Sequence, residues 1–89
     1  MDNQRRVQRF VPDLAVEIVS ANDTYANLMR KKDRYRRAGT SEVWLVSTEL
    51  TEIAIYTAGA VRILAAGDTL TSDLLPGFAI AVDDLFRGL

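Results

Sequence analysis

The chain has 89 residues, of which 48% are hydrophobic and 26% charged, a balance that is ordinary for one small folded domain. It has no cysteine and no histidine, which excludes disulfide bonds, zinc sites with thiolate or imidazole ligands, and catalysis by a histidine base. The formal net charge of −1 excludes a global basic field as the means of attracting a nucleic acid.

The basic residues near the start of the chain are not followed by the apolar stretch of a secretory signal. No run reaches the roughly 20 apolar residues that a membrane span needs. We therefore expect a cytoplasmic protein with no membrane partner. A domain of this size removes only about 60–65% of its unfolded surface from water, so association with a second chain would help to stabilise it.

The first half of the chain predicts a strand, a helix and a second strand. Residues 13–20 are rich in β-branched side chains and predict a strand. Residues 24–38 predict a helix, because N-cap residues precede them and Gly39 follows. Residues 42–46 predict a buried strand, and this order of elements indicates a parallel crossover. The apolar stripe of the predicted helix consists of Leu28, Tyr35, Tyr25, Met29 and Ala38.

The second half predicts a hairpin and a short final helix. Residues 52–56 and 61–64 alternate in polarity on either side of Gly59, which is typical of two antiparallel strands. Residues 79–82 predict a short edge strand, and Asp83 is the expected N-cap of a last helical turn. The predicted fold class is therefore α/β, with a mixed sheet in which a strand-helix-strand crossover is followed by a β-hairpin.

Two acidic side chains share one face of the first predicted strand. Asp13 and Glu17 are four residues apart, so they point to the same side and lie about 13 Å apart when the strand is extended. At that distance they cannot directly share one ion, although either could join a third carboxylate from a neighbouring strand. One interpretation is that Asp13 caps a turn and Glu17 faces solvent. The other is that Glu17, placed between Val16 and Ile18, needs a lysine or a metal ion as partner, because an unpaired buried carboxylate is costly. Mg²⁺ suits a chain without histidine or cysteine.

The predicted helix carries a dense group of cations. Lys31 and Lys32 lie beside its apolar stripe, and they either extend their amines into solvent or reach across the sheet to Glu17. In the second case, one lysine could stabilise charge on a phosphoryl group or position an attacking water. Four arginines form a solvated basic face, or else hold phosphates: Arg30, Arg34, Arg36 and Arg37.

The order of the motifs resembles one protein family over nearly all of residues 11–86. The motifs are PDLAVEIVS at residues 12–20, Lys31 and Tyr35 four apart, Ala38-Gly39, EVWLV at residues 42–46, GDTLTS at residues 67–72 and LPGF at residues 75–78. They resemble the Uma-type endonucleases, a branch of the PD-(D/E)XK or restriction-endonuclease-like superfamily. Ser47 departs from the family pattern, which tends to aspartate there.

This resemblance implies a restriction-endonuclease-like core and Mg²⁺-dependent hydrolysis of DNA. Glu17 matches the metal-binding glutamate, Asp13 matches an acidic residue at the start of the same strand, and Lys31 matches the catalytic lysine. Family members have roughly another hundred residues upstream. The resemblance therefore implies that residues 11–89 are the C-terminal part of the domain, truncated at its N-terminus, while residues 1–10 are polar and expected to be flexible.

Three hypotheses follow from the sequence. The leading one is a Mg²⁺-dependent endonuclease-like domain that acts on DNA, with Glu17 and Lys31 catalytic and with Asp13 and Glu17 as metal ligands. The second is a non-catalytic, nuclease-derived interaction or dimerisation domain. In either case a homo-oligomer, or a partner chain that supplies the missing half, would cover the exposed sheet edge. The third is a DNA-binding module that uses its basic helix alone.

Overall fold

The computed structural model describes residues 11–89, and the predicted flexibility of residues 1–10 lies outside that range. Two helices and six strands form the described part of the chain. In chain order they are β1 (Leu14–Val19), α1 (Tyr25–Ala38), β2 (Glu42–Ser47), β3 (Glu52–Thr57), β4 (Ala60–Leu64), β5 (Thr69–Thr71), β6 (Ala79–Ala81) and α2 (Val82–Arg87).

The main sheet has four strands in the order β1-β2-β3-β4. Strands β1 and β2 are parallel, with Leu14 opposite Glu42, and α1 connects them. Strands β2, β3 and β4 follow as an antiparallel meander, with Trp44 opposite Ile55 across the first pair. The predicted mixed sheet, with its crossover and hairpin, is therefore confirmed.

Capping at both ends sets the length of α1. The hydroxyl of Thr24 accepts a hydrogen bond from the Asn27 N–H at 3.1 Å, which satisfies one of the unpaired amides of the first turn. Gly39 has a φ of 111°, which side-chain-bearing residues rarely adopt. Its N–H bonds to the Arg36 carbonyl and the Thr40 N–H bonds to the Tyr35 carbonyl, which is the Schellman arrangement. The chain therefore turns at once from α1 into β2.

The two faces of the sheet carry different cores, because side chains alternate along each strand. On the α1 side, Ala15, Val43 and Leu45 are buried. Leu28, Met29 and Tyr35 of the helix pack against them. Tyr25 is 75% exposed and Ala38 is also exposed, so the predicted apolar stripe was too wide at both ends. The opposite core contains Trp44, Val46, Ile53, Ile55, Leu70 and Val82.

A second sheet, of two strands, covers this opposite core. Strands β5 and β6 pair antiparallel, with the fully buried Leu70 opposite Ile80. The sequence analysis predicted β6 but not β5. It was also wrong about Asp83, which lies in the first turn of α2, while the N-cap is Ala81 and provides no side-chain hydrogen bond. None of the helices within residues 11–89 combines the length and the apolarity needed to cross a membrane.

One edge of the main sheet exposes apolar side chains. Within residues 11–89, β1 pairs with β2 alone, so its other edge has no strand beside it. On this strand, Val16 is 49% exposed and Ile18 is 54% exposed. Both lie on the face opposite Glu17, because their positions alternate with it. The described fold thus leaves an apolar surface next to an unpaired strand edge.

Candidate active site

Glu17 lies in the middle of β1 and points toward α1. It alternates with Val16 and Ile18 and therefore shares the helix-facing side of the strand with Ala15, which is buried, and Val19. The Glu17 side chain keeps 26% of its surface accessible. Its carboxylate is therefore half-buried beneath the helix while remaining within reach of solvent.

Lys31 approaches this carboxylate from α1. The distance between Lys31 Nζ and Glu17 Oε1 is 3.6 Å, and the Lys31 side chain is 41% exposed. Of the two lysines considered from the sequence, Lys32 instead bonds to Asp33 and lies 5.0 Å from the centre of the Tyr56 ring. An ion pair as accessible as that of Lys31 and Glu17 contributes only about 0–1 kcal/mol to folding, so stability alone gives little reason for it.

Tyr35 contacts the other oxygen of the same carboxylate. Its hydroxyl donates a hydrogen bond to Glu17 Oε2 at 3.1 Å. This bond raises the pKa of the Tyr35 phenol above its usual value, because ionisation would place a second negative charge beside Glu17; burial adds to the shift and Arg34 opposes it. The sequence analysis named Tyr35 in the apolar stripe and in the family motif but gave its hydroxyl no role. Its four-residue spacing from Lys31, which puts both on one helix face, was the available signal.

These side chains line a cleft of about 500 Å³ between β1 and α1. Thr40 forms part of the wall, is completely buried, and its hydroxyl has no hydrogen-bond partner among residues 11–89. The cleft therefore combines two cations, one carboxylate and two hydroxyls with an apolar rim. Its lining residues are Val11, Pro12, Glu17, Lys31, Arg34, Tyr35, Ala38 and Thr40.

Asp13 lies just before β1 and has an exposed side chain. Its backbone carbonyl accepts hydrogen bonds from the N–H groups of Ser41 and Glu42 at 2.9 and 3.1 Å, which joins the start of β1 to the start of β2. Of these two acidic residues considered from the sequence, Glu17 lines the cleft and Asp13 does not. The structure therefore brings Glu17 and Lys31 together, whereas Asp13 lies outside the cleft, just before the first residue of β1.

The acidic residues fit a sparsely ligated ion better than a closed metal site. No group of three or more Asp, Glu, His or Cys side chains comes together within the described range of 11–89. Mg²⁺ commonly takes only one or two carboxylates and completes its shell with water and phosphate oxygens. The accessible Glu17 beside an open cleft meets the minimum of that requirement, which is one carboxylate.

The carboxylate of Glu42 is also buried, but its contacts are structural. Glu42 Oε1 accepts hydrogen bonds from Trp44 Nε1 at 2.7 Å and from the Ser72 hydroxyl at 3.0 Å. Only 7% of Glu42 is exposed, and it is absent from the lining of the cleft. It therefore ties the segment after β5 to the main sheet. The sequence analysis placed Glu42 in a strand without recognising this link.

Comparisons with known proteins agree with the motif order and the fold. The family described as Uma2, "Putative restriction endonuclease", matches residues 2–83. A crystal structure described as that of "a putative nuclease belonging to DUF820" from Anabaena variabilis matches with a TM-score of 0.75 at 15% identity. The match covers 84% of this chain and 44% of that one, so the chain spans less than half the length of that nuclease. The comparison with curated proteins gave no match.

Proposed function

Since the chain belongs to the Uma2 restriction-endonuclease family, we propose that it is a Mg²⁺-dependent endonuclease-like domain that hydrolyses phosphodiester bonds of DNA. In this proposal Glu17 holds the metal ion, and Glu17 and Lys31 are the catalytic residues. Asp13 is the second proposed metal ligand, and it would reach the same ion only if the start of β1 moved, because it lies about 13 Å along the strand from Glu17. The observation that supports it most directly is the 3.6 Å approach of Lys31 Nζ to Glu17 Oε1 in an open cleft.

The proposed chemistry divides between a metal ion and the protein's own groups. A bound Mg²⁺ would supply Lewis acidity toward the phosphate and toward an attacking water. Glu17 would fix the position of that ion with its accessible carboxylate oxygen. The Lys31 ammonium would stabilise the negative charge that builds on the phosphoryl oxygens as the water oxygen bonds to phosphorus and the ester P–O bond breaks.

The same helix provides cations for contacts with the DNA backbone. Arg34 lines the cleft three residues after Lys31, so both cations face the space next to Glu17. The chain as a whole has a net charge of −1, so attraction of phosphate would depend on local groups of cations such as the one on this helix. Such contacts would fix the position of the DNA strand without reading its sequence.

Replacing Lys31 with alanine should slow Mg²⁺-dependent cleavage of supercoiled plasmid DNA by about 10²–10³-fold, the usual cost of losing one charge-stabilising group. The rate is measured from the conversion of supercoiled to nicked and linear DNA, with and without Mg²⁺. Lys32→Ala is the matched control. Lys32 is the next residue on the same helix, and its ammonium bonds to Asp33 instead of Glu17.

The wild-type chain must cleave with Mg²⁺ and not with EDTA for the proposal to stand. Equal rates for Lys31→Ala and the wild type, or equal losses in Lys31→Ala and Lys32→Ala, would remove Lys31 from the mechanism. Metal-independent binding of the plasmid with a steep salt dependence, and no cleavage, would instead favour a module that binds DNA through its basic helix.

The alternative function, a non-catalytic interaction or dimerisation domain, has its own structural support. Val16 and Ile18 are 49% and 54% exposed on a strand whose outer edge has no neighbour within residues 11–89. Such an edge can pair with a strand of a second chain. A second copy of this chain is the simplest occupant, because two β1 strands would make a self-complementary interface.

Under this alternative, the wild-type chain should dimerise in sedimentation-velocity experiments. Ile18→Lys should raise the dissociation constant of the dimer more than tenfold. Ile63→Lys is the control, because Ile63 is also 54% exposed but lies on β4, at the other edge of the sheet. A wild-type chain that stays monomeric at high concentration contradicts homodimerisation. An equal effect of Ile18→Lys and Ile63→Lys on dimerisation would place the interface away from β1.

A further inference from the structure

Tyr35 joins the two elements that form the cleft. Its hydroxyl donates to Glu17 Oε2 across 18 positions of the chain, while Lys31 Nζ lies 3.6 Å from Oε1. The two oxygens of one carboxylate are therefore held by two different groups from the same helix. A half-exposed glutamate has three side-chain torsions, and without such partners it would sample many positions.

The Tyr35 ring is itself held in place by its surroundings. It packs against the core on the α1 side of the sheet, which consists of Ala15, Val43 and Leu45. Its backbone carbonyl accepts the Thr40 N–H at 3.0 Å in the turn that ends the helix. The phenol hydroxyl therefore projects from a packed ring beside a hydrogen-bonded turn, which makes it a suitable anchor for the Glu17 carboxylate.

We propose that Tyr35 is a positioning residue that orients the Glu17 carboxylate so that Oε1 is presented to the metal ion and to Lys31. This inference rests on the proposed function, in which Glu17 holds Mg²⁺. Carboxylates that ligate metals are commonly oriented by an outer hydrogen bond, and its loss typically weakens metal binding by about 10–100-fold. Each carboxylate oxygen has two lone pairs, so the bond from Tyr35 leaves acceptors for an ion.

The test compares Tyr35→Phe with the wild type in calorimetric titrations with Mn²⁺ and Mg²⁺. Phenylalanine keeps the packed ring and removes only the hydroxyl, so the fold should survive, as circular dichroism would verify. We expect the affinity for either ion to fall by about 10–100-fold. Tyr25→Phe is the matched control, because Tyr25 is on the same helix and is 75% exposed. Its affinity should equal that of the wild type.

Glu17→Ala is titrated with the same two ions in parallel, so that failure of the positioning role can be told apart from failure of the proposed metal site. Wild-type metal affinity in Tyr35→Phe overturns the positioning role alone, provided that Glu17→Ala has lost binding. Retained binding in Glu17→Ala refutes the proposed metal site itself, and the positioning role with it.

Discussion

Replacing Glu17 with alanine should abolish the calorimetric signal of Mg²⁺ and Mn²⁺ binding and reduce metal-dependent DNA cleavage to background. Of the two carboxylates proposed as metal ligands, Glu17 is the one that lines the cleft. No group of three or more Asp, Glu, His or Cys side chains comes together within residues 11–89 that could take its place. Mg²⁺ loses its water shell reluctantly, so removal of its principal carboxylate should leave no measurable affinity.

The matched control for this substitution is Glu49→Ala. Glu49 is exposed in the turn that follows β2 and is absent from the lining of the cleft, so its loss removes the same charge from the chain without touching the site. Binding by both the wild type and Glu49→Ala, but not by Glu17→Ala, supports the proposed site. If neither the wild type nor the control binds either ion, residues 11–89 hold at most part of a site, and the interaction-domain alternative gains weight.

Most of the fold follows from local patterns in the sequence. Strand β1, helix α1, strand β2 and the hairpin of β3 and β4 lie within a residue or two of the predicted ranges. Their signals are local: β-branched runs, a Thr24 cap, and a glycine where the chain needs a positive φ. The family predicted from the order of motifs is confirmed by the match over residues 2–83.

The parts that escaped prediction depend on contacts between distant segments. Strand β5 has three residues and one buried side chain, Leu70, so it gives no alternation long enough to recognise. It exists because β6 pairs with it and the main sheet covers it. The same limit explains Tyr25, whose spacing on α1 suits a buried stripe although its side chain is 75% exposed.

The candidate site was predictable in its components but not in its arrangement. Spacing along α1 places Lys31 and Tyr35 on one helix face, and alternation along β1 fixes the face of Glu17. Which lysine reaches the carboxylate depends on how the helix lies across the strand. The residue pattern left Lys31 and Lys32 open, and only the family resemblance favoured Lys31. The roles of Glu17, Asp13 and Lys31 remain predictions, which the substitutions above are designed to test.

The largest expected effect on stability comes from Ile55→Ala. Ile55 is completely buried at the centre of β3, in the core that joins the main sheet to β5, β6 and α2. Truncation of a buried isoleucine to alanine typically costs about 2–5 kcal/mol, because the apolar contacts are lost and a cavity remains. A small domain has only about 5–15 kcal/mol of stability. Urea unfolding followed by Trp44 fluorescence should show a clearly lower midpoint.

Ile63→Ala separates the burial effect from strand propensity. Ile63 is on the neighbouring strand β4 and is 54% exposed, so its truncation should cost no more than about 1 kcal/mol. The difference between the two variants measures what burial at Ile55 contributes. Equal losses would mean that the small sheet and α2 do not cover this face in solution. The described core would then be confined to the α1 side of the sheet. The cleft at Glu17 would in that case be supported only by the side chains packed between α1 and the sheet.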